Sequence, residues 1–316
     1  MRQAIKLSFI LGEEKFSIFM KEESIKCVTC NKPSTLRCPT CLSFNISTFF
    51  CSQSCFKSSW KIHRQVHPCN PFPDYKYSGS LRPYYPLSPT RLVPDNIVKP
   101  DYAIGSIPLS EMKLRGSTEI PVLNPSEIEI MRNVCKIGRQ VLEAAKSFAK
   151  VGVKTDDIDK LVHELTIQLG AYPSPLNYHG FPKSVCTSVN EVICHGIPDH
   201  YVLKDGDILN IDISCYKDSF HSDLNETVLI GNVDEEGKKL VRVTRECLDL
   251  AIAKCKPGML YRDLGTVIQA HADQNNLSVV RTYCIYILTK AVMVLERIFI
   301  ALQMYLIMQK IKLLVS

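Results

Sequence analysis

The chain has 316 residues, 46% hydrophobic and 22% charged, with a formal net charge of +6. That balance is globular; it excludes a wholly disordered chain, a collagen-like fibre and a many-span membrane protein, and the length fits roughly two domains. The charge is uneven. Residues 1–75 hold ten Lys/Arg against five Asp/Glu and residues 285–316 hold four against one, which leaves a mildly acidic body and directs an anionic partner to the ends rather than to the whole chain.

Residues 1–26 form an N-terminal extension without a clear pattern. Its apolar run 8–11 is too short for a secretory signal and is soon followed by Glu13 and Glu14, so the chain reads as cytoplasmic. Residues 27–69 hold Cys27-x2-Cys30, Cys38-x2-Cys41, Cys51-x3-Cys55 and His63-x3-His67. Two-residue spacing lets both thiolates of a turn reach one ion, and eight such ligands suit two tetrahedral Zn²⁺ sites. Free buried thiols are the alternative, but three paired spacings followed by paired His argue against it. Cys69 could stand in for a ligand, and spacing leaves the pairing of ligands open. Some forty residues cannot bury enough apolar surface to fold alone, so the metal must supply the stability. Phe56 and Trp60 read as packing residues. The block lacks a C2H2 reading helix, which favours a protein-docking module over sequence-specific DNA recognition.

Residues 70–125 carry ten prolines. Pro83, Pro86 and Pro89 recur every three residues, which suits polyproline II and an SH3-type ligand, but the interleaved Tyr and Arg favour a linker laid against its neighbour. From residue 126 the pattern becomes α/β. Ser126 with Glu129 reads as a capping box, and Ile130, Val134, Ile137, Val141 and Phe148 follow at helical spacing. A second helix is expected over 155–169, closed by Gly170. Strands are expected within 207–230, and further helices over 235–255 and 261–275.

The two strands carry the chemistry. Asn210, Asp212 and Ser214 alternate with Leu209, Ile211 and Ile213, and Asp223, Asn225 and Thr227 are in phase with one another. A turn at Lys217-Asp218 would place Asp212 directly opposite Asp223, with Cβ atoms ~5 Å apart. Carboxylates that close repel unless they share a proton or a cation, and a metal pair ~3.5–4 Å apart is one answer. Spacing alone does not choose between that and a solvated pair on an exposed face.

Upstream runs Tyr178-His-Gly-Phe181-Pro-Lys-Ser-Val-Cys186, then Cys194-His195-Gly196-Ile197-Pro198-Asp199, with the two aspartates eleven residues apart downstream. Together with the Cys/His block, this resembles the type 1 methionine aminopeptidases of eukaryotes, from the zinc block to Cys284. The resemblance implies a "pita-bread" α/β (α+β) fold over 126–284 and removal of the initiator Met of nascent polypeptides. It implies Asp212 and Asp223 as ligands of a pair of divalent ions (Co²⁺, Mn²⁺, Fe²⁺ or Zn²⁺) and His195 as the catalytic, substrate-contacting histidine. It implies Tyr178, Phe181 and Cys186 as the lining of a slot for an unbranched thioether. It also implies a ribosome partner for the zinc block and basic N-terminal region. His163, His200 and His271 read as structural.

The resemblance stops after Cys284. The family has five metal ligands; two Asp are here, while residues 285–316 hold a single acid, Glu296, and no His. The apolar run 298–308 is too short to span a bilayer, so no membrane partner is expected. The chain is therefore expected to be inactive, its alternative role being a product that keeps only the docking module. Taking the last base of each codon with the first two of the next, residues 291–316 permit Gly-His-Gly followed by Phe-His, with Met293-Val294 forcing Gly. We read this tail as the family's catalytic segment in a shifted frame.

Overall fold

A computed structural model describes residues 5–11, 14–20, 25–43, 48–67, 69–70, 72, 74–114, 117, 122–280 and 313–315. Most of the tail 285–316, including the shifted-frame reading, thus lies outside the described residues.

The two long strands organise the body. β7 (Ile208–Lys217) and β8 (Phe220–Leu229) pair antiparallel along their whole length. The free edge of β7 is shared by β5 (Tyr172–Pro173) at one end and β6 (Cys186–Val189) at the other. Alternation gives the sheet two unlike faces. Leu209, Ile211, Ile213 and Cys215 lie on the apolar face and are fully buried.

Two helices cover that face. α4 (Pro125–Phe148) and α5 (Thr155–Gln168) join it in one core with Val141, Leu142, Ala145, Ile158, Leu161 and Val162. α4 approaches closely because residue 138 is glycine: a Cβ there would stand 2.6 Å from Ser222 Oγ. The cap of α4 differs from expectation. Asn124 is the N-cap, bonded reciprocally with Glu127, so the capping box sits two residues before Ser126 and Glu129; Pro125 holds the first helical position, where its missing N–H costs nothing. α5 ends as expected, with Gly170 at φ 72°.

α6 (Glu235–Lys254) and α7 (Tyr261–Gln274) form a second cluster around Val243, Cys247, Leu264 and Ile268, and β9 (Leu277–Val279) follows. β10 (Leu313–Val315) pairs antiparallel with β9. At the other end, β1 (Ile5–Leu11) and β2 (Glu14–Met20) form a hairpin where the sequence had shown no pattern; Gly12 between two apolar runs was the available signal.

The proline-rich linker is fastened to the body by backbone bonds. The Leu81 N–H donates to Glu191, the Tyr84 N–H to Asp199 and the Tyr102 hydroxyl to the Ser174 carbonyl. His163 Nε2 donates to the Leu92 carbonyl; burial disfavours the charged ring, and in the neutral ring Nδ1 accepts from the Ser184 hydroxyl. His200 meets the Pro86 carbonyl and His271 the Glu246 carboxylate, so all three of these His are engaged in structural contacts. Among the described residues, no helix is long and apolar enough to cross a membrane.

Candidate metal centres and active-site face

In the Cys/His block, β3 (Leu36–Arg37) and β4 (Phe49–Phe50) form a two-rung ladder, α1 (Pro39–Ser43) lies between them, and α2 (Gln53–His63) follows. This arrangement gathers the eight ligands into two groups of four. Cys27, Cys30, Cys51 and Cys55 form one, and Cys38, Cys41, His63 and His67 the other, with ligand atoms within 4.8 Å of one another. The groups interleave along the chain: the first and third pairs meet, then the second and fourth.

The geometry fits a metal. Cys30, Cys51 and Cys55 sulfurs stand 3.4, 3.5 and 3.8 Å apart, near the ~3.8 Å edge of a tetrahedron with ~2.3 Å Zn–S bonds. In the other group His67 Nε2 is 3.3 Å from Cys38 Sγ and 3.2 Å from His63 Nε2. Cys69 belongs to neither group; its backbone pairs with that of Tyr85. Phe56 packs edge-on against the buried Phe50, whereas Trp60 is 41% exposed.

In the body, the β7–β8 hairpin corrects the expected register. The turn is at Asp218-Ser219, both at positive φ (51° and 70°), the two-residue geometry whose twist matches the strands it joins. Asp212 therefore faces Asn225, and Asp223 faces Ser214. Moving the turn by one residue shifts the pairing by two, so the phase survives. The two aspartates are diagonal neighbours on the polar face, ~7–8 Å apart between Cα atoms, rather than directly opposed. An all-oxygen pair at that spacing suits hard divalent cations lying between the carboxylates.

The remaining candidate residues come from β6, from the segment after it and from the turn after β5. Cys186 on β6 is directly opposite Asp212, and both are buried. His195 is exposed, with φ 52°. Its neighbour Gly196 accepts from the Thr187 N–H and donates to Ser188 Oγ. A Cβ on Gly196 would lie 2.1 Å from the Thr187 carbonyl, so only glycine lets this segment run along the outer edge of β6, two strand spacings from Asp212. Tyr178 and Phe181 share the turn after β5, where the Phe181 N–H donates to the Tyr178 carbonyl and the Tyr178 hydroxyl to Glu111.

Two features gave no signal in the sequence. Asn210 bridges the hairpin, its amide donating to Asn225 and Thr227. A buried ion cluster joins the linker, α5 and the loop before Cys186. Lys183 meets Asp156 Oδ1 and Ser88 Oγ at 2.5 Å, and Arg91 pairs with Asp156 and Asp159. Burial pushes the Asp156 carboxyl up, but Lys183, Ser88 and Arg91 outweigh it and hold it below the ordinary range. Burial wins at Asp159, which is raised although Arg91 and the Ser184 N–H oppose it.

Comparison with known proteins follows the same division. Residues 129–293 match metallopeptidase family M24, and residues 25–69 match a MYND-like zinc finger described as mRNA-binding. Methionine aminopeptidase 1 of Dictyostelium discoideum is 52% identical over 274 residues, covering 83% of this chain and 74% of that protein. The Saccharomyces cerevisiae protein of the same name is 47% identical, covering 79% and 67%. Among solved structures, methionine aminopeptidase from Rickettsia prowazekii matches with a TM-score of 0.51 at 36% identity, over 51% of this chain and 65% of that one. With a zinc-finger block preceding an M24 body, and with these identities over most of its length, the chain belongs to the eukaryotic type 1 methionine aminopeptidases, the family that removes initiator methionine.

Proposed function

We propose that this chain carries the docking module, the methionine slot and two of the five metal ligands of that reaction, and that by itself it does not hydrolyse peptides. The observation that supports the reading best is the pair Asp212 and Asp223, diagonal on one polar face with Cys186 beside Asp212. These carboxylates would hold the ions, His195 would contact the substrate, and Tyr178, Phe181 and Cys186 would enclose the thioether of an N-terminal methionine. A bound pair of divalent ions would supply Lewis acidity toward the scissile carbonyl and would ease the loss of a proton from the attacking water. The sequence of residues 285–316 carries the negative half of the proposal, because Glu296 is the only acid in that stretch and it holds no His.

Each four-ligand group would hold one Zn²⁺. The block, with its basic neighbours Lys26, Lys32, Lys57, Lys61 and Arg64, would dock to the ribosome or its RNA in the cytoplasm. Residues 291–316 would be the catalytic segment translated out of frame.

The test is release of Met from a Met-Ala-Ser peptide in Co²⁺ or Mn²⁺. None is expected from this chain; release that Asp212→Asn abolishes would overturn the inactivity. Sequencing the transcript across codon 284 tests the tail, and nucleotides that do not encode Gly-His-Gly in the shifted frame would reject it.

A further inference from the structure

The charge of the zinc block has one sign. Residues 24–73 hold six Lys/Arg and no Asp or Glu. Three of the six come together along α2, where the C-cap residue Arg64 keeps helical φ and ψ. Lys57, Trp60, Lys61 and Arg64 are spaced i, i+3, i+4, i+7, so they share one stripe about 10 Å long, and all four are exposed. Basic residues on the body's helices are paired off instead. On α6, Lys238, Arg242 and Arg245 each meet an acid of the same helix. α2 has no acid to offer its cations.

Trp60 is the only tryptophan of the chain. Its ring leans on His63 and His67, with centroids 6.1 and 5.5 Å away, and the residue is still 41% exposed. With one Zn²⁺, two thiolates and two neutral imidazoles, the group of Cys38, Cys41, His63 and His67 would carry no net charge to offset the cations beside it. A held aromatic ring among unneutralised cations suits both halves of a single-stranded nucleic acid, because bases stack on the ring and phosphates meet the cations. A duplex keeps its bases stacked on one another and withholds them. An acidic peptide would meet the cations and leave the ring unused. A membrane surface calls for an apolar face, and the neighbours of Trp60 on this stripe are charged. Resting on the reading that the zinc block docks to the ribosome or its RNA, we infer that this stripe is a platform for single-stranded RNA. One base stacks on Trp60, and the adjoining phosphates meet Lys57, Lys61 and Arg64.

Because Trp60 is the only tryptophan, its emission reports on this surface alone. The full chain with Zn²⁺ is titrated with a short oligouridylate, a G·C-rich RNA duplex of the same length and inorganic polyphosphate. The oligouridylate should quench the emission saturably, and polyphosphate should displace it without quenching. Log affinity against log salt should have a slope of about −2, the value for three phosphates of a single strand, and Lys61→Gln should make it shallower by about 0.7. Trp60→Leu, followed with a labelled oligouridylate, should weaken binding about tenfold and leave the slope unchanged. The inference fails if duplex or polyphosphate quenches as the single strand does, if Lys61→Gln keeps the parent slope, or if Trp60→Leu keeps the parent affinity. Should Trp60→Leu lose its zinc, the parent's quenching and the Lys61→Gln slope decide. Cosedimentation with ribosomes separates this platform from docking at large. Ribosome binding without oligouridylate binding rejects the platform and keeps the docking; binding to neither rejects both.

Discussion

The zinc block and the body solve the same problem by different means. Among the described residues, the block's buried apolar cluster is Cys27, Cys38, Cys41 and Phe50, three of which belong to the two groups that could hold a metal. The main cluster of the body has twenty buried members drawn from two helices, a sheet and the segments that join them. In the block, cohesion has to come from eight side chains converging on two points; in the body it is spread over many contacts, none decisive alone. The first kind of structure fails all at once and the second in increments.

Chelation should separate them most sharply. Structural zinc contributes roughly 10–16 kcal/mol in finger peptides, far more than the block's small core can replace. EDTA or a stronger chelator should therefore abolish hydrogen-exchange protection over 25–67 and leave α4, α5 and β7 protected. Protection that survives in the block, or is lost in both regions, would break the comparison.

The next effect lies in the body. Lys183→Met leaves Asp156 and Asp159 buried with Arg91 as their remaining cation among the described partners. Breaking a buried ion group in this way costs about 3–5 kcal/mol, and urea midpoints should show it. A shift below about 1 kcal/mol would mean that water reaches the cluster. Asn124→Ala should cost only about 1 kcal/mol, the value of one helix cap, while Ser126→Ala should be close to neutral, because Asn124 and not Ser126 holds the cap.

The smallest effect is a pH dependence. Burial, with Arg91 nearby, holds the His163 imidazole below its ordinary value despite the Leu92 carbonyl. The unfolded chain then binds a proton that the folded chain refuses, so stability falls as pH drops below about 6.5 toward the folded value. The thermal midpoint of His163→Gln should decline less than that of the parent between pH 7 and pH 5; equal slopes would reject the assignment.

Periodicity made most of this architecture legible. The 3.6-residue spacing in α4 and the two-residue alternation of 208–217 and 220–229 located helices, strands and faces, and they set Asp212 and Asp223 on one face. What escaped was geometry that no spacing encodes. The hairpin register depends on whether the turn uses 217–218 or 218–219, and both are polar pairs that tolerate it. The ligand pairing in the zinc block is invisible because its spacings are alike. The Ser88, Arg91, Asp156, Asp159 and Lys183 cluster joins three distant segments, so it has no period at all.

The backbone ladder between Cys69 and Tyr85 has a mechanical consequence. It lies two residues after the last zinc ligand, and Tyr84, next to Tyr85, is bonded to Asp199 in the body. A free tether from His67 to Leu81 would let the block wander by roughly 20 Å, the mean reach of fourteen unstructured residues. The ladder replaces that leash with a bracket. If the zinc block grips a large assembly, that assembly would stand at a set reach from the segment bearing His195, and the concentration of its protruding chain ends there would be fixed by the bracket's length rather than by diffusion.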